Sequence, residues 1–344
     1  MTLHYMKQDK NLIIFTHGGG RFANQLFSYA HLIAFLAEND YKYDLINLSF
    51  WPYAHLLENT SKNLACTFPT KHKQWQALQK LKDILQFLPD KISNSSRIRN
   101  DIARFLYNYA SFAPDIQSII AKDVSGLKDI PGKQKDKFDL NNPDDVDLLN
   151  QAKFTLLAGW KVRSWPLVEK HQQTVRECLA LKESHTATAT KFIQELRQKS
   201  DYLIGVLIRQ YDYRFILEGK YFFETQQYID WIQQAQDLFG TSFKVGFVVA
   251  SDEPQDFELF KHLNVHFATG IAGGKGHYLE SMAELSKCDM IMTPPSTFGV
   301  WAAFLGDIPI LPLYDSSQVV SKQDLLYGNI FDAIAHPEMS VFVK

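Results

Sequence analysis

The sequence predicts an α/β protein of two domains, each built on a parallel sheet, from three observations. At 344 residues the chain is long enough for two domains that each bury a full core. From residue 201 onward, short apolar runs alternate with helical patterns, an order that yields parallel sheets with right-handed crossovers. Near the other end, Leu12-Ile13-Ile14-Phe15 passes through Gly18-Gly19-Gly20 into a helical pattern at Leu26, Phe27, Ala30, Ile33, Ala34 and Ala37. That glycine turn and Ile204–Asp212 each begin at the end of a buried strand, where open α/β sheets place ligands. Two such strand ends in two halves of the chain point to a cleft between domains.

The elements follow in order. After the strand at Leu12–Phe15 and the helix that follows Gln25, Tyr43–Leu48 reads as a second strand entering the aromatic loop Phe50-Trp51-Pro52-Tyr53. From Lys71 to Leu88, apolar residues recur at Trp75, Leu78, Leu81, Leu85 and Leu88, with lysines at 71, 73, 80 and 82. That spacing predicts an amphipathic helix with a basic face. Such a face either docks on an anionic membrane or a phospholipid-linked acceptor, or is the solvated side of an ordinary packed helix. A further helix is expected over Ile102–Phe112. Lys133–Asp147, polar and interrupted by Pro143, reads as a surface loop, and Phe154–Trp160 returns to strand character.

A long helix over Val168–Lys199 is predicted to lead into the second domain. There the expected strands are Leu203–Ile208, Lys244–Ala250, Val265–Phe267, Met290–Thr293 and Ile308–Leu311. The intervening helices are Tyr221–Phe239, Pro254–Leu263, Tyr278–Lys287 and Thr297–Leu305. The expected boundaries are residues 1–165 for the first domain, 166–200 for a helical linker, 201–320 for the second domain and 321–344 for a tail packing back on the first.

Composition narrows the function classes. An apolar content of 46% and a charged content of 22% are those of a globular protein. A formal net charge of −2 gives no general attraction for nucleic acid, so any anion site must be local. Cys66, Cys178 and Cys288 form neither a zinc pattern nor a complete disulfide set, which points to a reducing, cytoplasmic setting. Residues 1–10 lack an apolar core of signal-peptide length, and no run approaches the ~18 apolar residues of a membrane span.

Four segments carry chemistry. Gly18-Gly19-Gly20 lets the backbone turn and approach a ligand, and Arg21, Asn24 and Gln25 place donors at the start of a helix. The spacing is neither a dinucleotide fingerprint nor a P-loop, and a plain glycine turn with a helix cap is the alternative. Arg209, following a buried strand, needs an anionic partner, either a nucleotide phosphate or Asp212. Ser251-Asp252 ends the next strand, where Asp252 either holds a ribose or base or caps a helix. Ser296-Thr297 follows Pro294-Pro295 and opens a helix, a cradle for a pyrophosphate.

Two other segments imitate function. Asp145-Val146-Asp147 resembles a metal-binding acidic pair but has no strand before it, so a solvated turn is expected. Gly270–Gly276 lacks the P-loop order and reads as a flexible loop, with Lys275 as a phosphate contact. The eleven histidines show no metal-ligand spacing, and His17 alone lies near the expected cleft.

These segments resemble those of the GDP-fucose-using fucosyltransferases: bacterial α-1,2-, α-1,6- and protein O-fucosyltransferases. Gly19-Gly20 and Asn24-Gln25-Leu26-Phe27-Ser28-Tyr29-Ala30 are similar to the opening motif of the α-1,2 enzymes. Gly20-Arg21-Phe22-Ala23-Asn24-Gln25 resembles Gly-Arg-Phe-Gly-Asn-Gln of the protein O-fucosyltransferases. Arg209, Asp212 and Tyr213 match the central His-x-Arg-Arg-Gly-Asp-Tyr motif, with Leu207 at the histidine and Gln210 at the second arginine. Ser251-Asp252, Met282–Ile291 and Ser296-Thr297-Phe298-Gly299-Val300-Trp301-Ala302-Ala303 follow in family order.

The resemblance implies a GT-B-like fold of two facing Rossmann-like domains and an inverting, metal-independent transfer of fucose from GDP-fucose to a glycan hydroxyl. It places Arg209 at the β-phosphate, Ser296, Thr297 and Phe298 at the pyrophosphate end, and Asp252 at the nucleoside. Arg21 and Asn24 then reach towards sugar and acceptor, with Gly19, Gly20 and Gln25 as further substrate-binding positions. Asp212 and His17 are the two candidates for the base, and no cofactor or metal is implied. Leu207 and Gln210 leave two alternatives open: a transferase of another nucleotide sugar such as GDP-mannose, or a sugar-nucleotide-binding protein without catalysis.

Overall fold

The computed structural model describes residues 11–40, 42–58, 96–121, 130–240, 243–270, 274–324 and 330–335. The chain divides into two compact units, Met1–Ala180 and Leu181–Lys344. The basic amphipathic segment 71–88 and Cys66 lie outside the described residues, as does part of the Gly270–Gly276 loop.

In the first unit, β1 (Asn11–His17), β2 (Tyr43–Asn47), β3 (Ile116–Ala121), β4 (Lys133–Lys135) and β6 (Phe154–Ala158) form one sheet, ordered β2-β1-β6-β3-β4. Every pairing is parallel. The central strands are buried on both faces, which is why their sequences run apolar rather than alternate. α1 (Phe22–Glu38) is buried along nearly its whole length and packs against two short helices, α4 (Trp165–Lys170) and α5 (Gln172–Cys178). On the other face, α2 (Ser96–Ala110) sets Ala103, Leu106, Tyr107 and Ala110 against Leu12, Ile14, Ile46 and Ile120.

The second unit carries β8 (Tyr202–Ile208), β9 (Val245–Ser251), β10 (Val265–Phe267), β11 (Met290–Thr293) and β12 (Ile310–Pro312), ordered β10-β9-β8-β11-β12. All four pairings are parallel. Counted from β8 the order is 3-2-1-4-5, the Rossmann sequence, so the winding reverses between β8 and β11. The core centres on Ile204, Val206, Ile208, Phe247 and Val249, covered by Tyr228, Trp231 and Ile232 of α7 (Thr225–Phe239). α6 (Glu183–Arg197) and α8 (Tyr278–Leu285) pack together, α8 also contacts α9 (Thr297–Gly306), and α10 (Ile330–Ala335) lies against β12 and α9.

Four expectations need correction. The single helix over Val168–Lys199 is three helices, α4, α5 and α6. Ser164 caps α4 by accepting from the Leu167 N–H, and the chain leaves helical geometry again after Cys178. Lys133–Asp147 is not an irregular loop: it holds β4, β5 (Phe138–Asp139, paired with β7, Val162–Arg163) and the start of α3 (Pro143–Asn150). Asn142 caps α3 by accepting from the Asp144 and Asp145 N–H groups. Asp145 is therefore no solvated turn residue. It is buried, paired with Lys135, and accepts the Asp139 N–H at 2.7 Å. The helix expected over Pro254–Leu263 is only a 3-10 turn, Phe257–Phe260, capped by Asp256.

Candidate active site

The reversal of winding between β8 and β11 brings two strand ends side by side, and both carry predicted site residues. The carboxyl ends of strands at such a point form a crevice that helix starts cannot fill, because their connections leave in opposite directions. Arg209 follows β8 directly, and Ser296-Thr297 follow β11 after two prolines end the strand.

Arg209 is held on three sides. One terminal nitrogen lies 2.8 Å from Asp212 Oδ1, the other 3.3 Å from Asp252 Oδ2, and the guanidinium carbon sits 4.9 Å from the centre of the Tyr213 ring. Its side chain is only 19% exposed, and its Nε is buried with no hydrogen-bond partner. Burial disfavours the charge, but Tyr213, Asp252 and Asp212 outweigh it and hold the guanidinium pKa above its ordinary value. The result is a charged, pre-oriented cation fixed at the carboxyl end of β8. Both carboxylates offered by sequence as its partners or as ligands are thus spent, at least in part, on holding it.

Asp252 does more than pair with Arg209. Its Oδ1 accepts the Gln210 N–H at 2.8 Å and the Tyr211 N–H at 3.4 Å, so it fixes the turn after β8. Gln210 is buried. Its Nε2 donates to the Phe223 carbonyl at 2.9 Å, and its Oε1 accepts from Gln255 Nε2 at 2.9 Å. Gln255 Oε1 in turn accepts the Thr225 hydroxyl at 2.8 Å, and its Nε2 donates to Ser251 Oγ. Leu207 is a core residue of β8, paired with Ala250.

Tyr213 ties the two strand ends together, a role its place in the sequence did not disclose. It is buried, donates to the Pro295 carbonyl at 2.5 Å, and faces Arg209 and Ser296. Burial pushes its phenol up to about 12, so it stays a neutral donor. Its signals in the sequence were its place four residues beyond a strand-end arginine and its match to the tyrosine of the resembling motif.

Ser296 occupies the N-cap of α9 with extended backbone geometry, yet its side chain makes no capping hydrogen bond. It is buried, while Thr297 and Phe298 are half-buried in the first turn. Gly299 lets that turn sit on β11: a Cβ there would lie 2.7 Å from Thr293 Oγ1. A helix start without a side-chain cap at the switch point is positive in potential and suited to an anion.

In the first unit, the glycine turn after β1 is held by a closed relay. The Gly18 N–H donates to Ser49 Oγ at 2.9 Å, Ser49 donates to Gln25 Oε1 at 2.5 Å, and Gln25 Nε2 donates to the Gly19 carbonyl at 2.5 Å. Gln25 is fully buried, so the structure uses it to shape the turn. Gly19 and Gly20 take φ of 78° and 67°, and a Cβ on Gly20 would overlap Asn24. Arg21 is exposed at the α1 N-cap, Asn24 is half-buried, and His17 is buried at the end of β1. Lys275 is exposed on the loop before α8. Among the described residues no cluster of His, Cys, Asp and Glu could hold a metal ion.

Comparison with known proteins bears on this geometry. Residues 161–321 match the Glycosyl transferase family 11 profile, while no curated protein sequence matches the chain. Among solved structures, the chain is similar to a mutant of Arabidopsis thaliana FUT1 in complex with GDP. The TM-score is 0.54 and the identity 14%, over 91% of this chain and 73% of that one. It also aligns with POFUT1 in complex with GDP-fucose, at 13% identity over 88% and 98% of the two chains and a TM-score of 0.47. The fucosyltransferase NodZ from Bradyrhizobium aligns at 15% identity over 91% and 97%, with a TM-score of 0.46. The likeness to FUT1 establishes a GT-B-like α/β fold. The profile match runs through β8, Arg209, Asp252, β11 and Ser296, the whole switch-point site. Over residues 161–321, the span that carries this site, the chain is similar to glycosyl transferase family 11.

Proposed function

We propose that the chain transfers fucose from GDP-fucose to a hydroxyl of a glycan acceptor, with inversion and without a metal ion. The observation that carries this reading is Arg209: a buried guanidinium held charged at the end of β8 and in contact with Tyr213, which bonds the Pro295 carbonyl beside the start of α9. Breaking the bond between the sugar anomeric carbon and the β-phosphate oxygen leaves a new negative charge on GDP. Arg209 and the α9 terminus stabilise that charge as it forms, and fixed dipoles of this kind do so without reorganising. The acceptor oxygen then bonds to the anomeric carbon and gives its proton to a base. Asp212 is the better placed of the two candidates, because it already lies beside Arg209, whereas His17 is buried.

Donor choice is where a second reading has support. Gln210 stands at the second arginine of the resembling motif, and its amide is bound into a neutral network. A donor other than GDP-fucose, such as GDP-mannose, or binding without transfer, agrees with that loss of a cation.

Calorimetric titration of GDP, GDP-fucose, GDP-mannose and UDP-sugars, with and without Mg²⁺, separates these readings. Tight, metal-independent binding of GDP-fucose over the others is expected. Arg209→Ala should lower transfer by about 10²–10³-fold, as removal of one charge-stabilising donor does elsewhere. Full activity in that variant would remove the central step.

A further inference from the structure

We infer that α2 is a membrane-docking element that seats the protein on an anionic lipid surface. The helix is apolar on two opposite sides. One side, Ala103, Leu106, Tyr107 and Ala110, is packed on the first sheet. On the other, Phe105, Tyr109 and Phe112 are 68%, 57% and 87% exposed. Their spacing of four and three residues stacks them along one line of the helix. Phe112 lies just past the helix end but stays in register, its N–H donating to the Tyr109 carbonyl at 3.1 Å.

Three aromatics in line on a solvent-facing edge are costly for a protein that keeps that edge in water. Helices that lie in a bilayer interface combine such an edge with basic residues. α2 carries Arg97, Arg99 and Arg104 against the single acid Asp101. The bias extends upstream in the sequence: residues 71–104 hold eight Lys and Arg against three Asp, a net charge of +5 in a chain of net −2. That local positive charge selects an anionic lipid surface over a neutral one and over a second copy of the same basic segment, which it would repel. Phe and Tyr, with apolar bodies and in Tyr a polar tip, suit the headgroup boundary. Among the described residues no helix is long and apolar enough to cross a membrane, so this contact lies on the surface.

The test is sedimentation of the full chain with vesicles of phosphatidylglycerol and phosphatidylcholine, against phosphatidylcholine alone. Binding to the anionic vesicles only, weakened by added salt, is expected. The triple variant Phe105→Ser, Tyr109→Ser and Phe112→Ser should bind at least about ten-fold less, since the lost contacts are apolar area buried in the interface. Because these side chains face solvent, its melting temperature and nucleotide binding should stay those of the wild type. Failure of the wild type to bind anionic vesicles would overturn the inference, as would equal binding by the triple variant. So would a dimer, seen by light scattering, that the triple variant dissolves, because the edge would then belong to a second copy.

Discussion

Glu284→Gln should make the protein more stable relative to wild type as pH rises. Glu284 is fully buried in α8, and its two oxygens meet one residue: Thr269 donates its N–H to Oε2 at 3.0 Å, and its hydroxyl lies 2.5 Å from Oε1. The same hydroxyl lies 3.1 Å from Glu280 Oε2. A hydroxyl has one proton to give, so it can satisfy only one of the two carboxylates as a donor. When the hydroxyl donates to Glu280, Glu284 Oε1 meets the hydroxyl oxygen favourably only by donating a proton of its own. Burial, opposed by the Thr269 hydrogen bonds and aided by the nearby Glu280 charge, lifts Glu284 from 4.5 to about 7.

A raised carboxyl pKa contributes stability that is complete below the unfolded value and is lost as pH climbs through the folded one. The window here runs from pH 4.5 to about 7. At 1.36 kcal/mol per pH unit, the loss across it is roughly 3 kcal/mol. Glutamine has the shape of the protonated acid: its Oε1 accepts the Thr269 N–H and its amide donates to the hydroxyl. Urea unfolding of both proteins by tryptophan fluorescence, with Trp231 and Trp301 buried in the same unit, reads the difference. The gap should move in favour of the glutamine variant by roughly 3 kcal/mol between pH 4.5 and 7.5. A gap that does not change with pH would show that Glu284 is already ionised throughout, and the shared-proton reasoning would be wrong.

Other outcomes follow from the same contacts. Tyr213→Phe removes the 2.5 Å bond to Pro295 and should cost about 1–2 kcal/mol, with weaker GDP binding by calorimetry. Gly299→Ala forces a methyl against Thr293 and should destabilise by about 1–3 kcal/mol while loosening the proposed pyrophosphate site; unchanged melting would show that α9 moves freely on β11. Gly20→Ala must hold a left-handed φ of 67° while displacing Asn24, so a melting loss equivalent to about 2 kcal/mol is expected.

Which residues sit at the carboxyl ends of strands was legible wherever chain order alone decides it. Arg209 and Ser296 each follow an apolar run, and a parallel strand must release its next residues at the carboxyl edge of the sheet. What these residues touch was not legible. Asp252 reads equally as a nucleoside ligand or a cap, and its partners, Gln210, Tyr211 and Arg209, lie more than forty positions upstream. Gln210 looks like a lost arginine until Phe223, Thr225 and Gln255 close around it. The acid Asp145 sits in a polar stretch, and only the pairing of β5 with β7 and the Asn142 cap bury it.

Local and periodic information is therefore what the sequence by itself determined: an α/β chain, two glycine- or proline-marked strand ends, a strand-end arginine and a helix start rich in hydroxyls. These depend on runs of a few residues and on backbone chemistry that glycine and proline impose. The tertiary structure decided strand order, and with it that β8 and β11 are neighbours. It also decided which polar groups are consumed inside the protein, as the Gln25 and Gln210 amides are. Strand order rests on which sheet arrangement buries the most apolar surface. Hydrogen-bond partners rest on distances between residues far apart in the chain, and no local pattern encodes either.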